Sequence, residues 1–112
     1  YPWGDEADAN RANYSATGIG VTSTVGAFPG GASLYDVLDM AGNVWEWTSS
    51  LYQPYRYAAE DGREDLAADG ARTLRGGSWS GDEDDVRCAF RGGYDPFNWD
   101  YDVGFRVVSP GF

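Results

Sequence analysis

The chain has 112 residues, with 18 Asp and Glu against 8 Arg, no Lys and no His, giving a formal charge of −10. That balance excludes a sequence-independent nucleic-acid binder, which needs a basic surface for phosphates, and excludes docking on an anionic leaflet. A chain that is 42% hydrophobic and 16% aromatic is not a disordered acidic tail, and its size sets one domain at most.

In chain order, residues 1–31 are turn-rich, punctuated by Gly, Asn and Pro, with a short β-like run over 21–28. Ser33–Met40 reads as a helix: Leu34, Val37, Leu38 and Ala41 recur at helical spacing, Ser33 is a plausible N-cap, and Gly42 ends the run. Val44–Leu51 reads as a strand carrying Trp45 and Trp47 on one face. Residues 53–71 are a long polar surface loop. Arg72–Trp79 is a strand with a Gly-Gly turn, Ser80–Asp85 an acidic loop, and Val86–Arg91 a strand with Val86, Cys88 and Phe90 on one side. Gly92–Asp102 is a second loop, and Val103–Val108 the last strand. Short twisted antiparallel strands, one or two short helices and a high loop content are the expected α+β pattern.

Without His, neither Ser-His-Asp nor Cys-His catalysis nor a His-ligated metal is available. The single Cys allows no intrachain disulfide and no Cys-x-x-Cys pair, and its alternation with Val86 and Phe90 reads as a buried, inert thiol. Asp39 to Glu46 could bring two carboxylates and free carbonyls around an oxygen-ligated cation such as calcium, or could be a capped turn with solvated acids. Trp45 and Trp47 read as core or sheet-packing residues rather than a ligand platform. Residues 82–85 read as a solvated acidic loop rather than a cation site. Tyr94–Asp102 sets four aromatics among acids without a period, in the manner of an antibody paratope.

Seven segments together resemble one family: Tyr1-Pro-Trp-Gly-Asp5, Val25-Gly-Ala-Phe-Pro29, Leu34-Tyr35, Asp39-Met-Ala-Gly-Asn-Val-Trp-Glu-Trp-Thr48, Leu74-Arg-Gly-Gly-Ser-Trp79, Arg87-Cys-Ala-Phe-Arg91 and Gly104-Phe-Arg-Val-Val108. The chain resembles the domain of formylglycine-generating enzymes and sulfatase-modifying factors, a variant of the C-type lectin fold. The resemblance implies a single domain over 1–112, cut from a longer chain or lacking its N-terminal portion. It also implies a calcium site built from the side chains of Asp39 and Glu46 with the carbonyls of Gly42 and Val44. A second calcium site would involve Asn13 and the carbonyl after it, across a loop around 17–22 that is shorter here. The family's catalytic pair of cysteines should fall between Trp79 and Arg87, where this sequence has none; Cys88 matches a third cysteine outside that pair. The expectation is therefore a non-enzyme.

The chain also resembles the variable proteins of diversity-generating retroelements, whose C-terminal loops are rewritten by adenine-directed mutagenesis of Asn codons. Fourteen loop residues lie within the set such codons reach: Ser80, Gly81, Asp82, Asp84, Asp85, Gly92, Gly93, Tyr94, Asp95, Phe97, Asn98, Asp100, Tyr101 and Asp102. Glu83 and Trp99 do not. With Phe90 and Trp99 added, these residues are the expected ligand-binding surface, and the ligand a protein or surface glycan. The alternatives are an accessory sensor or scaffold domain fused to an effector such as a kinase or protease, and a formylglycine-generating oxidase. No apolar run is long enough to span a membrane, so the chain is expected to be soluble, with cytoplasmic and surface-displayed settings both open. Residues 80–102 hold seven acids and two Arg, so half the net charge sits on the expected binding loops.

Overall fold

The computed structural model describes residues 1–109. Regular structure is sparse. Two single 3-10 turns, Ser15–Thr17 and Pro29–Gly31, precede four strands: β1 (Trp45–Leu51), β2 (Arg72–Arg75), β3 (Gly92–Tyr94) and β4 (Val103–Gly104). They form one sheet in the order β3-β2-β1-β4. β2 runs antiparallel to both β1 and β3, with Trp47 opposite Leu74, and Leu74 opposite Gly92. β4 joins β1 in parallel, so the sheet is mixed rather than wholly antiparallel.

Backbone bonds between loops do much of the work of a core. Asn43 donates its amide to the Asn13 carbonyl at 2.8 Å, Gly42 to Gly76 at 2.7 Å, and Trp79 to Asn43 at 3.0 Å. Three distant segments are thereby sewn together beside the sheet. The buried apolar cluster under them is small: Ala12, Tyr14, Ala41 and Val86, flanked by Tyr1, Trp3 and Ala9.

Three expected elements are replaced, each for a local reason. Ser33–Met40 is not a helix. The Ser33 hydroxyl does cap, but it accepts the amides of Tyr35 and Val37, closing a tight turn. Asp36 and Asp39 then adopt φ of +59° and +56°, which short polar side chains tolerate and a helix does not. The run 21–28 pairs with side chains instead of a strand: Asn13 Nδ2 donates to the Val21 carbonyl, and Asn43 Oδ1 accepts the Ser23 amide. Val86–Arg91 is a turn. Arg75 gathers the carbonyls of Cys88, Ala89 and Phe90 on one guanidinium, whereas consecutive carbonyls of a strand point to alternate sides. Only Val86 is buried there, and Cys88 is exposed rather than an interior thiol. A strand forms instead at Gly92–Tyr94, at the start of the stretch expected to be a loop, and the strand expected over 103–108 stops at Gly104.

The long loop over 53–71 is organised by two arginines. Arg72 donates to the carbonyls of Ser49, Asp65, Leu66 and Ala68. Arg63 is buried, pairs with Asp61 at 2.5 Å, and also reaches the Pro54 and Arg56 carbonyls. The hydrogen bonds from Arg63 hold the Asp61 carboxyl below its usual range. A lowered folded-state pKa means that the pair stabilises the fold above the ordinary Asp value and is lost as pH falls through the lowered one. Limited pepsin digestion should therefore find the 53–71 loop protected near about pH 5 and cut near about pH 2. Arg63→Gln should be cut at both, and equal protection of the two proteins across that range would refute the assignment.

Candidate ligand-binding surface

The expected binding residues divide into two groups once they are placed. One group is committed to the fold. Gly81 is buried: its carbonyl accepts the Ser15 amide, and a Cβ there would lie 2.9 Å from a carboxylate oxygen of Asp85. Gly93 lies against Tyr52, where an added Cβ would come within 2.5 Å of the ring. One oxygen of Asp102 accepts from Ser78 at 2.7 Å and from Ser80 at 2.8 Å, and the Ser78 hydroxyl belongs to a fully buried residue. The acids of 82–85 mostly serve their own loop. Asp82 Oδ1 accepts the amides of Asp84 and Asp85, Asp85 Oδ2 accepts the Asp82 amide, and Asp84 pairs with Arg87 at 3.2 Å. Asp95 and Asp100 likewise accept the amides of Phe97 and Tyr101, shaping the turns between the aromatics.

The second group faces outward. Phe97 is 91% exposed, Trp99 89% and Tyr101 72%. Asn98 is exposed among them, and Gly92 gives its place in β3 to backbone pairing. Aromatic pairs also form on and beside the sheet. Trp45 meets Phe90 with ring centres 5.8 Å apart, Trp47 meets Tyr94 at 6.0 Å, and Trp79 meets Tyr101 at 5.6 Å. The tilted geometry suits the ring quadrupoles. A cleft of about 770 Å³ opens beside Trp47, between the 66–70 segment and Asp95, Pro96 and Phe97. Trp45 and Trp47 are thus half-buried supports of a surface and not interior residues. Their W-x-W alternation was the available signal. Nothing in the short 66–70 segment, Leu-Ala-Ala-Asp-Gly, marked it as the far wall.

Asp39, Gly42, Val44 and Glu46, the set implied by the family resemblance, line one small cavity of about 190 Å³. Asp39 Oδ2 accepts the Gly26 amide at 2.7 Å. Arg106 enters from the other side: its guanidinium grips both oxygens of Glu46 and donates to the carbonyls of Leu38 and Asp39. This pairing raises the Arg106 pKa. No three Asp, Glu or Cys side chains converge among the described residues, so a cation here would depend on carbonyls as well. The donors are nevertheless all hard oxygens on one cavity, which fits calcium in kind. Nearby, Asn13 is 1% exposed and its Oδ1 has no hydrogen-bond partner among the described residues, while its Nδ2 holds the 17–22 loop at Val21. An orphaned buried carbonyl oxygen also suits a hard cation.

The architecture has known counterparts. Solved structures that match are Treponema denticola variable protein 1, with TM-score 0.72 and 28% identity over 86% of this chain and 34% of that one, and PvdO from Pseudomonas aeruginosa, with TM-score 0.75 and 28% identity over 91% and 40%. This is the C-type lectin-like fold of the formylglycine-generating type, and its likeness to a variable protein, read first from sequence, holds in three dimensions. Residues 1–110 match the model of the sulfatase-modifying factor enzyme 1-like domain, and the chain belongs to that family.

Among curated relatives, a hercynine oxygenase of Mycolicibacterium thermoresistibile is 38% identical over 97% of this chain and 25% of its own length. The serine/threonine-protein kinase pkn1 of Chlamydia caviae is 37% identical over 97% and 18%. An inactive Cα-formylglycine-generating enzyme 2 of Mus musculus is 35% identical over 97% and 36%. The chain thus spans between 18% and 36% of these relatives. No helix among the described residues is long and apolar enough to cross a membrane.

Proposed function

We propose that this domain binds a ligand without catalysis, presenting Phe97, Trp99 and Tyr101 from the 92–102 loop on a rigid lectin-like scaffold. The observation that carries the proposal is their exposure, 91%, 89% and 72%, over a sheet already faced with paired aromatics. Large rigid rings offer contact area at low entropy cost and are the usual energetic centres of protein interfaces. The ligand is a protein or a surface glycan. The acids around the rings favour a basic or donor-rich epitope, and no bond is broken. The resemblance to a variable protein supports diversification of residues 80–102, with Phe97 and Asn98 among the free positions. The lone Cys88 leaves an oxidase of the formylglycine-generating kind without its cysteine pair. In this reading calcium is a structural staple held by Asp39, Glu46 and the carbonyls of Gly42 and Val44, and its charge neutralises the two carboxylates.

The test is a protein and glycan array probed with the parent chain and with a Phe97→Ala, Trp99→Ala, Tyr101→Ala variant. Binding should fall about 1,000-fold or more while circular dichroism is unchanged, because even two of the three rings acting as interface centres, at about 2 kcal/mol each, cost about 4 kcal/mol. Equal binding by the two proteins would remove the aromatic surface from the proposal. A template repeat with Asn codons and a nearby reverse transcriptase at the locus should accompany diversification, and a locus with neither would sink that part. The second reading, a sensor or scaffold module joined to an effector, is supported by the similarity to a protein named as a kinase. The gene surrounding this segment distinguishes it.

A further inference from the structure

We infer that the sheet face opposite the aromatics carries a second, independent site: a carboxylate-binding pocket built on Arg75 and Arg91. Adjacent residues of a strand point to opposite faces. Trp47, Leu74 and Gly92 share one register line, and Glu46 and Arg75 share the next, so Arg75 faces away from Trp47 and Tyr94. Around it lies a pocket of about 230 Å³ whose lining includes Thr48, Ser50, Tyr55, Arg63, Arg75 and Arg91. A chain with net charge −10 and only 8 Arg thus places three of them around one small space.

Two of the three have no carboxylate partner among the described residues. The charge of Arg63 is answered by Asp61. Among the described residues, Arg75 donates only to the carbonyls of residues 88–90 and to the Tyr55 hydroxyl. Arg91 is half-buried against two rings, 4.7 Å from the centre of Tyr52 and 4.1 Å from that of Tyr55, and among the described residues no acceptor takes any of its N–H groups. A guanidinium held by two rings is restrained in orientation, and its planar fork then matches a carboxylate in two parallel bonds. The other acid at the rim, Glu64, accepts the Ser50 hydroxyl at 2.8 Å. Counting Asp61 and Glu64 against the three arginines leaves a single positive charge, which a monoanion neutralises and a dianion overshoots. The ligand is therefore a single carboxylate, a chemistry that an acidic peptide side chain and an acidic sugar share.

The probes are sodium acetate and inorganic phosphate, each titrated against sodium chloride at constant ionic strength, with the Arg Nε–Hε signals followed by NMR. Acetate should shift the Arg91 signal saturably, and Arg91→Gln should weaken the remaining response at Arg75 at least about 10-fold with a cooperative melt retained. Arg91→Lys, which keeps the charge without the fork, should fall between. Identical behaviour in acetate and chloride, or an Arg75 response untouched by Arg91→Gln, overturns the site. Tighter response to phosphate than to acetate overturns the carboxylate assignment. Acetate binding that persists in the Phe97, Trp99, Tyr101 triple variant is expected, and it separates this pocket from the aromatic surface.

Discussion

Replacing Gly42 by Ala is expected to remove a large part of the domain's stability. Gly42 sits at φ +77°, and a Cβ there would overlap the Asn13 carbonyl oxygen. A non-Gly residue in the left-handed region costs about 1–2 kcal/mol by itself. The overlap adds more, because that same carbonyl accepts the Asn43 amide at 2.8 Å while Gly42 donates to Gly76 at 2.7 Å. Displacing the two segments sacrifices both bonds, each worth about 1 kcal/mol net and more where a buried group is left unpaired. The total, about 4–5 kcal/mol, approaches the lower end of the 5–15 kcal/mol typical of whole domains, roughly. Gly62 supplies the control: its φ is +83°, but nothing lies within 4 Å of an added Cβ. Gly62→Ala should cost only about 1 kcal/mol. Urea titration of both variants checks the pair, and equal losses would show that dihedral strain alone, without the Asn13 contact, explains Gly42.

Arg106→Gln is expected to be the second most damaging substitution, and to reveal how the Asp39–Glu46 cavity is neutralised. The guanidinium joins segments far apart in sequence, from Glu46 on β1 to the carbonyls of Leu38 and Asp39. The two side chains are 35% and 20% exposed, so the pair is neither a solvated surface bridge nor fully desolvated. Removing one partner of a buried pair costs roughly 3–5 kcal/mol, and the partial exposure here brings that to about 2 kcal/mol. Calcium separates two roles for this cavity. If it binds there, it raises stability by a margin that grows with its concentration over its dissociation constant. Arg106→Gln, which leaves the two acids less neutralised, should gain more melting temperature from calcium over chelator than the parent does. No calcium response in either protein would leave Arg106 as the sole counter-charge and remove the calcium staple.

Much of the scaffold was legible because its signals are local and strong. The alternating Trp45 and Trp47 marked β1, the Gly76-Gly77 turn is present with both residues at positive φ, and the long polar stretch is indeed a loop. The helix over 33–40 was misread because apolar spacing alone cannot weigh a Ser hydroxyl and two Asp residues that favour a tighter path. The strand over 86–91 was misread because its conformation is set by Arg75, a dozen residues upstream, through three carbonyls. The same limit applied to the site. Residues 39 to 46 did gather around one cavity, but Arg106 reaches Glu46 across sixty positions, and no spacing rule spans that distance. Asn43 shows it too: a single side chain and its backbone tie Ser23, Asn13 and Trp79, each from a different part of the sequence.

The committed positions within the binding loops also set the size of a repertoire. Gly81, Gly93 and Asp102 are held by Asp85, Tyr52 and the Ser78–Ser80 pair, whatever the ligand. Under the proposed diversification, a mutagenic process blind to structure would spend many of its offspring on chains that cannot close these contacts. Each locked position divides the viable siblings by the number of residue types its codon can reach. The productive variety then lies at the solvent-facing places between the locks, so surviving siblings should differ in what they touch far more than in how they fold.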